Sequence, residues 1–127
     1  MKELLTKHWA AFDRSDFAAY TADLASDFTF EETPTGRRGS GDDYIAMLKQ
    51  WKAGFPDGKA SLKTFYDAGD YCILEVEWSG THKGTLEGPF GTLAATNKPF
   101  LVKGLLINKM KDGKLFESRS YFDLLGM

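Results

Sequence analysis

Five residues carry side chains that could do chemistry together: Asp123, Tyr121 and Arg119 in "ESRSYFD", His82 in "GTHKG", and Glu32 in "DFTFEE". Asp123 stands among Tyr121, Phe122, Leu124 and Leu125. A carboxylate set in such surroundings loses hydration, which moves its pKa toward neutrality. That is the property required of a general base that removes a proton next to a carbonyl. Tyr121 and Arg119 alternate onto the face of Asp123. Arg119 and Asp123 are roughly 13 Å apart at Cα along a strand, so a direct ion pair is not the default. Arg119 suits Glu117, Glu32 or an anionic ligand group better. His82 or Tyr121 would donate to a developing enolate oxygen. Glu32 shares the face of Phe28 and Phe30, and two acids in different environments can divide acid and base work. Each residue also has a plainer reading. Asp123 can meet water at a strand end, Arg119 can pair at a rim, and Tyr121 can be a wall residue. His82 can be a satisfied structural histidine, and Glu32 can face a wet opening.

The elements that must position these residues follow from periodicity. Leu5, Trp9 and Phe12 recur at helical spacing over 2–14, and Asp16 can cap a second, shorter helix carrying Phe17, Tyr20 and Leu24. "DFTFEET" (27–33) alternates as a strand, and Pro34, Gly36, Gly39 and Gly41 mark a loop. Asp42 or Asp43 can cap a third helix through Trp51, which Gly54 and Pro56 end. Strands are predicted over 59–67 and from Tyr71 to about Lys83. On the latter, Cys72, Leu74, Val76, Trp78 and His82 share a face. The Gly- and Pro-rich segment 84–99, with Phe90 near its centre, is too long for a tight turn and is read as a lid or a dimer contact. Strands 100–110 and Leu115 to Leu124 flank a hairpin turn at "KDGK". Helices first and antiparallel strands second predict one α+β domain over 1–127, with helices on one face of a curved sheet.

Composition narrows the function classes. Ten Phe, five Tyr and three Trp suit a thick core or a pocket lined with flat surfaces. A net charge of −2, with no basic cluster beyond Arg37-Arg38, excludes a nucleic-acid footprint. The apolar runs are too short for a membrane helix, and no signal peptide is recognised, so a cytoplasmic location is expected. The single cysteine, Cys72, forms no internal disulfide, and two histidines and one cysteine, scattered, give no metal-ligand spacing. No cofactor is called for.

The order of the motifs resembles the SnoaL-like (polyketide cyclase-like) branch of the nuclear transport factor 2-like superfamily. The resemblance is carried by the opening helix, "DFTFEE" (27–32), "GDYCILEVEWSGTHKG" (69–84), "GPFG" (88–91) with "TNKP" (96–99), and "DGKLFESRSYFD" (112–123). It implies a cone: a strongly bent antiparallel sheet closed by three helices around a deep, partly apolar cavity. It also implies a homodimer through the sheet's outer face. Asp123 matches the aspartate that acts as general acid/base in such cyclases, and ketosteroid isomerase, a relative in fold, uses an Asp in an apolar site. The chain departs from the family pattern at Glu77, Asn97 and Ser118, and strand 100–110 has no histidine or acid to partner Asp123. The implied ligand is a small hydrophobic or polyketide-like carbonyl compound. Asp123 and His82 would be catalytic, and Glu32, Trp78, Arg119, Tyr121, Phe30 and Phe90 would contact the substrate. Two alternatives stand beside this: a non-catalytic binding or scaffold module, and a hydrolase using Glu32 and Asp123 around a water.

Overall fold

The computed structural model describes residues 2–88 and 91–123. Three helices come early: α1 (Lys2–Asp13), α2 (Phe17–Ala22) and α3 (Gly41–Gly54). Asp16 caps α2 by accepting from the Ala19 amide at 3.1 Å. At α3 the N-cap is Ser40, two or three residues earlier than the sequence suggests. Asp43 serves there as the return arm of a capping box.

The strands are β1 (Leu24–Glu32), β2 (Arg37–Ser40), β3 (Lys59–Ala68), β4 (Tyr71–Thr81), β5 (Leu86–Gly88), β6 (Gly91–Leu93), β7 (Pro99–Lys111) and β8 (Lys114–Phe122). Six of them form one curved sheet in the order β2-β1-β8-β7-β4-β3. The α+β class expected from the sequence is therefore the one observed. All neighbours are antiparallel except β1 and β8, which run parallel and make the sheet mixed. Leu24, read as helical, starts β1 instead. The short β2 was hidden in a Gly-rich stretch, and β5–β6 form a separate two-stranded ribbon within the 84–99 segment.

Helices α1 and α3 cover one sheet face, and the core lies between them. It contains Leu5, Trp9, Phe12, Phe28, Phe30, Met47, Leu74, Val76 and Leu106. Gly104 on β7 lets Trp78 approach the core. A Cβ there would stand 2.7 Å from the Trp78 ring and 2.6 Å from the Tyr121 carbonyl oxygen.

Behind the core sits a polar group that helix packing has buried. His8 is 1% exposed, its Nδ1 lies 3.3 Å from Asp23 Oδ2, and its ring stacks on Tyr20 with centroids 3.4 Å apart. Burial lowers the His8 pKa to about 4, outweighing the hydrogen bond and charge of Asp23. His8 is thus neutral at pH 7 and donates Nδ1–H to the carboxylate.

The folded pKa lies below the unfolded value of 6.5, so the unfolded chain binds more protons in between. Stability is full above pH 6.5 and falls as pH drops toward about 4. At 1.36 kcal/mol per pKa unit the loss from this residue is on the order of 3 kcal/mol. Urea denaturation at pH 7 and pH 4 should show a smaller loss for His8→Gln than for the parent chain, because glutamine keeps a donor to Asp23 and has no proton to gain.

Candidate functional site

Between α1, α3 and the inner sheet face lies a cavity of about 90 Å³. Its walls are mostly rings: Trp9, Phe12, Phe30, Tyr44, Trp51 and Trp78, closed by Phe55, Phe100 and Phe122. Lys59, which is exposed, lines its outer end.

Glu32 is the last residue of β1 and also lines the cavity. Its residue exposure is 2%, so its charge depends on protein donors. Oε1 accepts from Thr35 Oγ1 at 2.7 Å and from Arg37 Nε and Nη2 at 3.0 and 2.8 Å. Oε2 accepts from Trp51 Nε1 at 3.0 Å. The β1–β2 turn, with Gly36 at φ +74°, folds Thr35 and Arg37 back over the carboxylate. Arg37 also reaches Gln50 Oε1 at 2.9 Å and lies over the Trp51 ring.

A second polar element crosses the wall from Tyr20 to the Cys72 carbonyl. The Tyr20 and Tyr44 hydroxyls are 2.7 Å apart, and Ser118 hydrogen-bonds Tyr44. Ser118 donates to Asn108 Oδ1 at 3.1 Å, and Asn108 Nδ2 reaches the Cys72 carbonyl at 3.4 Å. Each hydroxyl has one proton. Since the Asn108 oxygen can only accept, the Ser118 proton goes there. Burial raises the Tyr44 pKa to about 12, although the Tyr20 and Ser118 hydrogen bonds oppose that shift.

The residues singled out in the sequence are only partly brought together. Glu32, Phe30 and Trp78 line the cavity as expected. The face assignment on β8 is corrected: Ser118, Ser120 and Phe122 line the cavity, whereas Arg119, Tyr121 and Asp123 are exposed and outside its lining. The cause is a bulge. Lys109 pairs with Glu117 and Met110 with Leu115, which leaves Phe116 as the extra residue. Leu115 faces inward, and counting by twos from it would carry 119, 121 and 123 inward as well. The extra residue flips the alternation.

On the outer face Arg119 pairs across β1 with Glu31 and hydrogen-bonds Tyr121. His82 is also corrected. It is buried, but β4 ends at Thr81, and His82 turns out of the cavity into the following loop. Its Nδ1 lies 3.1 Å from Thr96 Oγ1, its backbone N–H donates to the Lys98 carbonyl, and its ring packs on Phe55. Phe90 lies outside the described residues, as do Leu124 and the residues after it. Arg37, Tyr44 and Asn108 were not singled out. Asn108 had a visible signal: a polar letter in phase with Val102 and Leu106 on the inward side of β7.

Among the described residues no group of three or more His, Cys, Asp or Glu could hold a metal ion, and no helix is long and apolar enough to cross a membrane.

The sequence pattern of the SnoaL-like polyketide cyclases matches residues 2–127. The chain belongs to this family. Solved structures agree on the SnoaL-like fold. IdmH of Streptomyces antibioticus, a candidate polyketide cyclase, is 19% identical with a TM-score of 0.85, over 99% of this chain and 94% of that one. AclR of Streptomyces galilaeus, a candidate hydroxylase, is also 19% identical at TM-score 0.85, over 98% and 76% of the two chains. An NTF2-like protein of Burkholderia thailandensis is 24% identical at TM-score 0.78, over 98% and 91%. No curated protein sequence matches this SnoaL-like chain. Two such different activities on one backbone mean that the reaction must be argued from the cavity.

The Glu32–Arg37 pair makes a measurable demand. Removing Arg37 leaves a buried carboxylate without its main counter-charge, which costs about 3 kcal/mol. Arg37→Ala should lose that much in chemical denaturation, and adding Glu32→Gln should recover part of it. Additive losses would show that the two side chains do not act as a unit.

Proposed function

We propose that this SnoaL-like protein binds a small, mostly apolar carbonyl compound in the aromatic cavity and acts on it as a cyclase or isomerase of the proton-transfer type. The observation that carries the reading is one flat-walled cavity holding a buried carboxylate and a short run of hydroxyls. Such a site sequesters a ring system from water while offering a few directed polar contacts. The acid/base role of Asp123 rests on the family match alone, since the carboxylate stands outside the cavity lining. His82 has a buried ring but contacts the loop, so its part in the proposal is to hold that loop against Phe55.

One feature favours a second reading, a binding module without chemistry. Four hydrogen bonds from Thr35, Arg37 and Trp51 already hold the Glu32 carboxylate in a structural role. The expected homodimer belongs to the same proposal. Its support is the uncovered outer sheet face, where Leu101, Leu105 and Tyr121 are exposed, and sedimentation velocity reads it directly.

The test uses Trp9, Trp51 and Trp78 as reporters. An aromatic polyketide-type ester should quench their fluorescence, and Ser120→Trp, which fills the cavity, should abolish the effect. Undiminished binding by Ser120→Trp would sink the cavity reading. Solvent deuterium exchange at the carbon beside the ligand carbonyl then separates enzyme from binding module. Exchange that vanishes in Asp123→Asn while binding persists would assign the base.

A further inference from the structure

The polar atoms of the cavity are not evenly divided between donors and acceptors. Glu32 is the one charged side chain buried in its wall among the described residues, and a carboxylate only accepts. Its two oxygens are unequally used. Oε1 takes three donors, whereas Oε2 takes only Trp51 Nε1 at 3.0 Å and has lone-pair capacity for one more. The hydroxyl chain points the same way. The Ser118 proton is committed to Asn108, so the Ser118 oxygen, which lines the cavity there, is left with lone pairs. The groups whose hydrogen-bond direction is fixed by their partners therefore present acceptors to a ligand.

A bare carbonyl oxygen has nothing to give such a wall, and against Glu32 it would meet like partial charge. A phenol or an enol has a proton to donate, and a hydrogen bond to an ionised acceptor is about twice as strong as a neutral one. We propose that Glu32 Oε2 anchors a ligand hydroxyl, so that the cavity selects flat aromatic ligands that donate a hydrogen bond over methyl or ether counterparts of similar size. The Trp51 indole positions this anchor: it fixes Oε2 from one side and leaves the other to the ligand. Thr35 and Arg37 hold the carboxylate's far oxygen, so binding does not have to break the ion pair. This inference rests on the cavity being a ligand site, as proposed above, and deepens that reading by naming what the ligand must carry.

Calorimetric titration of the whole chain with 2-naphthol, 2-methylnaphthalene and 2-methoxynaphthalene tests it. The three share a ring system, and only the first can donate. 2-Naphthol should bind at least tenfold more tightly than either counterpart, the discrimination expected of one hydrogen bond to a buried charge. Glu32→Gln should bring the affinity ratio of 2-naphthol to 2-methylnaphthalene down toward one, whatever it does to the absolute affinities, since the acceptor charge is gone. If that variant does not fold, the ligand series on the parent chain decides alone. Equal affinity for all three ligands overturns the anchor while leaving the cavity as a binding site. Binding of none of them overturns the cavity reading and the anchor with it.

Discussion

The cavity depends on a single buried ion pair. Glu32 ends β1 with a carboxylate that has almost no access to water, and the chain supplies replacements for that water from three places. Thr35 and Arg37 come from the adjacent turn and strand, and Trp51 from α3. Taking a charge out of water is expensive, and it is tolerated only where donors of good geometry surround it. Meeting that demand ties the β1–β2 edge to α3 and fixes the Trp51 ring as a wall of the cavity. The edge of the sheet and the helix lying on it are thus held together by the group that a ligand would meet.

The hydroxyl chain is the quieter counterpart. Tyr20, Tyr44, Ser118 and Asn108 are all buried and lie in one hydrogen-bonded run. Buried polar networks rigidify a core when complete and destabilise it when broken. This one links α2, α3, β8 and β7, so it holds the helical layer in register with the sheet. His8 and Asp23 extend the polar layer behind it, with the histidine held neutral by burial. The cavity consequently has one wall organised by charge and another by neutral hydroxyls.

Much of the fold was legible in the sequence, because helical spacing in 2–14 and 41–54 and period-two spacing in 59–111 are strong local signals. The family resemblance supplied the cone. What escaped was non-local. The short β2 exists because β1 offers it a partner, and its sequence, Arg37–Ser40, has no strand signature of its own. The facing of β8 depended on one extra residue, Phe116, whose bulge is set by pairing with β7. That single displacement moves Asp123, Tyr121 and Arg119 from the cavity to the outer face, and brings in Ser118, Ser120 and Phe122. Glu32, by contrast, was correctly placed beside Phe28 and Phe30, since no bulge falls between those residues. Its partner Arg37 was not foreseen, because a turn of unknown shape separated them.

A crystal structure of the protein soaked with 2-naphthol would show where the ligand sits. The ring system should lie between Trp51, Trp78 and Phe30, with its oxygen within hydrogen-bond distance of Glu32 Oε2. The ligand seated on the outer sheet face beside Tyr121 and Asp123, with the cavity empty, would contradict it.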